Sequence, residues 1–226
     1  RAVSRLGGDP SRLYKGPPLW EFSPKTKTWR VLKAEKPYPR AIFGGMLEYA
    51  PELGGTLWHA NNWRMRGTWL RDSKTGKWRD LEANGDEEDK NTFQEQAPMP
   101  EQVAYRDPAR KILVAHRHYD THHFDLKRRR WTKVLSGNPD DNATPYGHDA
   151  RSVFHHDPGS GLGILTQFQT NLLWTYDPDA RSWTRLQPEG DPMPEGRKRL
   201  AYFDPAENAH VVIDRAKTWA YRLRRR

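Results

Sequence analysis

The chain contains an internal repeat of paired ring positions, and this repeat limits the possible folds more than any other feature. Four complete copies place the two members of each pair at the same separation: Trp20 and Trp29, Trp69 and Trp78, His122 and Trp131, Trp174 and Trp183. A truncated fifth copy begins at Trp219, and the second Trp recurs about every 50 residues. Four-stranded units at such a period are typical of β-propeller blades.

A second marker recurs with the same period. Asp-Pro pairs begin at Asp107, Asp157 and Asp204, and Ala50-Pro51 is a looser copy. Asp and Pro favour tight turns, and a short apolar run that suits a buried strand follows each pair. One unit is therefore predicted to hold strands a and b around this turn, then a loop, then strands c and d, which carry the two ring positions. No segment shows the spacing of an amphipathic helix.

The segment from Tyr176 to Trp183, in which Asp-Pro follows an aromatic residue and Trp closes the turn, resembles the second half of a kelch repeat. The resemblance covers roughly residues 18–223 and implies the propeller fold shared with galactose oxidase. The glycine doublet that ends strand b in this family is replaced here, for example by residues 59–62. The copper–radical chemistry of galactose oxidase needs a Tyr–Cys cross-link, and this chain has no Cys. A WD repeat is disfavoured because Gly-His and Trp-Asp pairs are absent at the required positions.

The repeat also predicts the domain layout. Residues 1–17 are expected to be an N-terminal extension or an incomplete strand, and residues 18–226 a single all-β propeller domain. The predicted units are a c–d hairpin at 18–32 and blades at about 37–81, 97–135, 142–186 and 192–226. The first unit lacks strands a and b and the last lacks strand d. We therefore expect part of a larger ring to lie outside this chain, in an upstream segment, a cleaved half or the partner chain of a homo- or hetero-oligomer. The alternative is a small four- or five-bladed ring closed by residues 1–17.

The core is expected to depend on large rings. Only 35% of the residues are hydrophobic, but the chain has ten Trp, nine Tyr and seven Phe. Each buried ring removes about 150–250 Å² from water. Trp29, Trp78, Trp131 and Trp183 are predicted to occupy equivalent buried positions between adjacent blades.

Charge and composition narrow the functional classes. The formal net charge is +9, and basic clusters lie at 127–130, 197–199 and 222–226. Such a charge favours a protein partner or an acidic polymer, whereas nucleic acid is disfavoured because no aromatic residues are interleaved with the cations. No apolar run has the roughly 20 residues of a membrane helix. The lack of Cys leaves the compartment open, and an extracytoplasmic location, secreted or periplasmic, is the working expectation.

The candidate binding site is the loop face, which we define as the end of the propeller that carries the b–c and d–a connections. These connections are long and variable, and such loops on a rigid scaffold usually carry function. The candidate residues are Arg40, His59, Asn61, Asn62, Trp63, Arg64, Arg66, His116, His118, Tyr119, Asp120, His148, Gln167, Gln169, Asp214 and Arg215. If strand b extends to residue 118, His116 and His118 point the same way, which makes them weak candidates for a metal site.

No linear catalytic motif is present, so no catalytic residue and no cofactor are predicted. The favoured function is a non-catalytic interaction propeller, as a subunit or scaffold of a larger assembly. The alternative is a propeller that binds or acts on carbohydrate, with Trp63 and Tyr119 stacking on sugar rings.

Overall fold

The computed structural model describes residues 19–32, 35–39, 45–61, 66–83, 96–149, 151–191, 193, 199–214 and 217–223. These residues form seventeen strands: β1 Leu19–Ser23, β2 Thr28–Leu32, β3 Met46–Ala50, β4 Gly55–Asn61, β5 Arg66–Asp72, β6 Trp78–Asp80, β7 Val103–Asp107, β8 Ile112–Arg117, β9 Asp120–Asp125, β10 Arg130–Ser136, β11 Ser152–Asp157, β12 Leu162–Gln167, β13 Leu172–Asp177, β14 Ser182–Leu186, β15 Leu200–Asp204, β16 Ala209–Asp214 and β17 Lys217–Tyr221.

The strands form five antiparallel meanders, which we number as blades in chain order. Blade 1 is β1–β2, blades 2 to 4 are β3–β6, β7–β10 and β11–β14, and blade 5 is β15–β17. The first strands of blades 2 to 5 contact one another, from β3 to β7 to β11 to β15, and so form the inner edge. The chain is a β-propeller, and the predicted all-β fold class is confirmed. No helix among the described residues is long and apolar enough to cross a membrane.

Short Asp-capped turns set the register of the hairpins. Asp107 accepts hydrogen bonds at Oδ1 from the backbone N–H groups of Ala109 and Arg110, both at 3.0 Å. The carboxylate thereby takes up donors that the turn itself leaves without partners. Asp125 and Asp177 cap c–d turns in the same way.

Blades 2 and 3 are joined by a contact of three side chains. Trp131 of strand d donates from Nε1 to Thr68 Oγ1 of the preceding blade at 2.9 Å. The Nδ1 atom of His59 lies 3.0 Å from the same hydroxyl, and its ring packs against Trp131 with the centroids 4.6 Å apart. The contact buries large rings and also satisfies their polar atoms.

The same arrangement recurs between blades 3 and 4. Trp183 donates to Thr121 Oγ1 at 3.1 Å, and His116 Nδ1 lies 3.0 Å from that hydroxyl. The rings of His116 and Trp183 are again 4.6 Å apart. A sequence repeat therefore corresponds to a repeated interblade contact.

Burial of the repeat tryptophans differs from the expectation at one position. Trp78, Trp131 and Trp183 are buried as predicted, but Trp29 is 63% exposed. The prediction for Trp29 is wrong because this ring lies on the face of blade 1 that would meet a preceding blade, and no described residue forms one. Its local geometry still fits the repeat, since the Phe22–Trp29 and Phe124–Trp131 pairs both have centroids 5.0 Å apart and an interplanar angle of 42°.

Candidate functional site

The predicted loop-face residues fall into three groups: buried, partly exposed and outside the described residues. His59, Asn61, His116 and Gln167 are buried. The second group comprises His118, Tyr119, Asp120, His148, Gln169 and Asp214, of which Gln169 is the most open. Arg40, Asn62, Trp63, Arg64 and Arg215 lie outside the described residues, as does the side chain of Arg66, which begins β5.

The two buried histidines hold the scaffold together. Besides the contacts with Thr, Nε2 of His59 lies 3.1 Å from Pro98 O and Nε2 of His116 lies 2.9 Å from Pro145 O. Burial lowers the pKa of His59 to about 3 and that of His116 to about 4. Both rings are therefore neutral at pH 7, and both nitrogens of each are occupied within the protein.

Gln167 and Asn61 are likewise bound to neighbouring chain segments. Gln167 donates from Nε2 to Tyr146 O at 2.8 Å and accepts from Trp174 Nε1 at 3.0 Å. Asn61 donates to Ala97 O at 3.0 Å. These residues support the loops, and their amide groups are turned away from solvent.

His118 departs from the strand geometry on which the metal hypothesis rested. Strand β8 ends at Arg117, and His118 has a φ of 52°, so the alternation of side chains stops between His116 and His118. Among the described residues, no group of three or more His, Cys, Asp or Glu side chains is arranged to hold a metal ion.

Backbone pairing instead places His118 against the next d–a connection. Its N–H donates to Gly147 O at 2.7 Å, and Gly147 N–H donates back to His118 O at 2.8 Å. A Cβ atom on Gly147 would lie 2.3 Å from His116 Cδ2, so only Gly permits this approach. The His118 ring stacks on Tyr146 with centroids 4.9 Å apart, and Tyr119 meets the edge of Tyr146 at 5.6 Å.

His148 is held by carboxylates on both sides. Its Nε2 lies 3.2 Å from Glu101 Oε2, and its Nδ1 lies 3.1 Å from Asp149 Oδ1. The backbone N–H of Asp149 also donates to Glu101 O at 3.0 Å. The connection that leads into blade 4 is thereby bound to the connection that leads into blade 3.

A cleft of about 190 Å³ opens beside this cluster, on the loop face of blade 3. It is lined by Ala97, Met99, Arg117, His118, Tyr119, Asp120, His122, Lys133 and Gly137. We refer to it as the blade 3 cleft. Met99 is 40% exposed and gives one wall an apolar surface.

The charged groups of the blade 3 cleft are partly engaged with one another. Lys133 Nζ lies 3.0 Å from Asp120 Oδ2. Arg117 donates from Nε to Pro100 O at 2.6 Å, which fixes its guanidinium at the cleft wall. Burial, followed by the positive charge of Arg117, lowers the pKa of His118, so this ring is neutral at pH 7. The cleft therefore carries one anionic group, Asp120, and two cationic groups, Arg117 and Lys133, so its net charge is positive.

Sequence reasoning found three lining residues of the cleft, His118, Tyr119 and Asp120, and missed Met99, Arg117 and Lys133, which give the cleft its apolar wall and its cations. Lys133 pairs across the β9–β10 ladder with His122, which places it on the cleft wall. The register that gives this pairing sets Trp131 opposite Phe124, and with it the sequence would have placed Lys133 opposite His122. Met99 belongs to an irregular connection, and no periodic signal marks it.

Comparisons with known proteins add information about the fold alone. No protein-family model matches the chain, and no curated protein matches it. The solved structure of TolB from Acinetobacter baumannii is similar with a TM-score of 0.51 at 10% identity, over 89% of this chain and 44% of that one. A protein of unknown function from Bacteroides thetaiotaomicron is similar with a TM-score of 0.50 at 11% identity, over 84% and 45%. The chain thus spans less than half the length of these structures.

Proposed function

We propose that this propeller is a binding protein that takes an acidic, partly apolar segment of a protein partner into the blade 3 cleft. The observation that carries the proposal is the composition of the cleft wall, in which the exposed Met99 lies beside the cations Arg117 and Lys133. Met is well suited to adaptable apolar contact. An acidic side chain next to an apolar one would match both features.

The positions of the cations support this partner chemistry. Arg117 is held by Pro100 at Nε and contacts Nδ1 of His118 through Nη1 at 3.4 Å. It can present the N–H groups that these contacts leave over without further ordering. Lys133 and Asp120 are both partly exposed, so a carboxylate from a partner can share the ammonium group. Charge-assisted hydrogen bonds of this kind contribute about 1.5–3 kcal/mol each.

The cleft can be tested by NMR on protein with ¹³C-labelled Met methyl groups. The chain has only four Met residues, of which Met99 is exposed and Met46 is buried. A short blocked peptide of alternating Leu and Glu should shift the Met99 methyl signal saturably and leave Met46 unchanged. Lys133→Gln should weaken binding about tenfold, which corresponds to about 1.4 kcal/mol.

Two controls make this titration decisive. A peptide of alternating Leu and Lys should not shift Met99, and Arg185→Gln, which removes an exposed charge of blade 4, should bind the acidic peptide as the parent does. Equal responses to the two peptides, or no response to either, would rule out the proposed recognition.

Carbohydrate is the second candidate ligand, and the partly exposed ring of Tyr119 at the cleft favours it. A ring at a cleft edge can stack on the apolar face of a sugar. In the same NMR experiment, a neutral oligosaccharide such as maltohexaose would then shift Met99 while the acidic peptide did not.

We also propose that the blades are divergent kelch repeats and that the protein works outside the cytoplasm. The Asp-capped turns that follow the ring positions of strand c support the kelch assignment. Cell fractionation of the native protein tests the proposed location.

Association through the flanks of the propeller is a further part of the proposal. Trp20, Phe22, Trp29 and Val31 form one exposed face of blade 1, and Leu200 and Tyr202 are exposed on blade 5. Exposed apolar faces of this kind favour interaction. Sedimentation velocity over a range of concentrations should show self-association that Trp29→Glu reduces and that Thr132→Glu, on the exposed side of β10, leaves unchanged. A parent chain that stays monomeric at all concentrations would contradict this proposal.

A further inference from the structure

Exposed cations recur on the c–d turns, at the rim opposite the loop face. Four such turns are described, at residues 23–28, 72–77, 125–130 and 177–182. Their exposed basic side chains are Lys25, Lys27, Lys74, Lys77, Lys127, Arg128, Arg129, Arg130 and Arg181. We call this set the basic rim.

The carboxylates of the same turns face the backbone. Asp72 Oδ1 accepts from the N–H groups of Lys74 at 2.9 Å and Thr75 at 2.7 Å. The hydrogen bonds from Thr75 hold the pKa of Asp72 below its usual value. Asp125 accepts in the same way from Lys127 and Arg128, both at 2.8 Å. In these two turns the negative charge is thus bound by the backbone while the cationic groups extend into solvent, and the turn at 23–28 carries Ser23 in place of the Asp.

Cations also occupy a backbone position that suits glycine. The residue two before the d-strand Trp has a positive φ in every described c–d turn: 55° at Lys27, 70° at Gly76, 55° at Arg129 and 53° at Arg181. A side chain with a Cβ atom costs about 1–2 kcal/mol in this conformation. Three of the four turns accept that cost and carry a cation, which is unexpected if the turn serves the fold alone.

Few ion pairs within the protein neutralise the rim. Among the described residues, Arg128 meets Asp125 at 3.9 Å, and both groups are exposed enough for solvent to weaken the pair. The one additional acid on these turns, Asp179, is bound by Arg110 of the neighbouring blade, whose Nε donates to it at 2.9 Å. Asp179 is therefore paired outside its own turn, and the rim is positive over blades 1 to 4.

We propose that the basic rim binds an extended acidic polysaccharide that carries a carboxylate or sulfate on successive sugars. Since the charge recurs from blade to blade, a linear polyanion can contact several turns at once, whereas a small anion can reach only one. The exposed hydroxyl groups of Thr26 and Thr28 flank Lys27 and share one hydrogen bond at 2.7 Å, which leaves lone pairs that can accept from sugar hydroxyls.

Other polyanions fit the basic rim less well. The four turns contain no aromatic and no Asn or Gln side chain, so they offer nothing for base stacking or base-edge recognition. A membrane surface is disfavoured because the one Leu of these turns, Leu126, is buried. The rim is separate from the blade 3 cleft, so either proposal can fail alone.

Binding to polygalacturonate, dextran sulfate and a DNA duplex, measured by fluorescence anisotropy at two salt concentrations, tests the proposal. The two acidic polysaccharides should bind, neutral dextran should not, and the affinity should fall as salt rises because counterions are released. The double variant Lys127→Gln/Arg129→Gln should bind polygalacturonate about tenfold more weakly and with a shallower salt dependence.

The matched control is Arg185→Gln/Lys217→Gln, which removes the same charge from exposed positions at the opposite ends of the strands. It should bind as the parent does. Equal weakening by both double variants would show that overall charge alone drives binding and would overturn the proposal. Tighter binding to the duplex than to both polysaccharides would overturn the choice of ligand.

Discussion

Replacing Trp131 by Ala should lower the free energy of unfolding by about 3–5 kcal/mol, the range for removing a buried Trp. The ring is fully buried between blades 2 and 3, and the substitution also removes the hydrogen bond to Thr68 and the packing surface of His59. Denaturation by urea, followed by circular dichroism, measures the change.

Trp29→Ala is the matched control, because Trp29 has the same hairpin position and the same geometry with its neighbouring Phe. Since Trp29 is largely exposed in the single chain, we expect a loss below about 1 kcal/mol at a protein concentration at which the parent is monomeric. Thr68→Val should cost about 1–3 kcal/mol, because it leaves the buried Nε1 of Trp131 without its acceptor. Equal losses for Trp131→Ala and Trp29→Ala would contradict the interblade role of the repeat.

The repeat predicts the fold because it encodes contacts that are local in sequence. The ring pair, the Asp-capped turn and the apolar run of strand b all lie within one blade, and the described strands follow the predicted order. The frame failed only for Trp29, whose burial would need a neighbouring blade that no described residue forms. Periodicity predicts which face a side chain occupies, but it does not show what covers that face.

The site was harder to predict because its contacts join residues that are distant in sequence. His59 and His116 were assigned to the loop face from their place at the end of strand b, yet each packs on a Trp of the following blade. Thr68 and Thr121 carry the hydroxyl groups that a His ring and a Trp ring share at each interblade contact. Nothing in the sequence pattern marks either Thr residue. Strand geometry ends before His118 because His118 itself has a left-handed backbone conformation. A pattern of alternating side chains does not reveal such a residue.

Acid should unfold this protein cooperatively, with most of the stability lost between about pH 6.5 and pH 4. Burial lowers the pKa values of six histidines, to about 3 for His59 and His210 and to about 4 for His116, His122, His123 and His155. In the unfolded chain these groups titrate near 6.5. Between the two values the unfolded state binds more protons than the folded state, so the free energy of unfolding falls as the pH falls.

Each such histidine contributes up to about 1.4 kcal/mol per pH unit to this slope. Glu48 acts in the opposite direction, because burial raises its pKa to about 7 and the folded state therefore keeps a proton that the unfolded chain loses above pH 4.5. One carboxyl group offsets only part of the effect of several histidines. The net result is a free energy of unfolding that rises from pH 4 to near neutrality.

Removing one buried histidine should reduce this acid sensitivity while lowering stability at pH 7. We expect His116→Gln to be less stable at pH 7, since it loses the contacts to Thr121 and Pro145. Its free energy of unfolding should, however, depend less steeply on pH, by up to about 1.4 kcal/mol per unit between pH 6 and pH 5. Urea denaturation of parent and variant at half-unit steps of pH measures both slopes. A parent whose stability is constant from pH 7 to pH 5, or a variant with an unchanged slope, would show that these rings do not stay neutral in the folded protein.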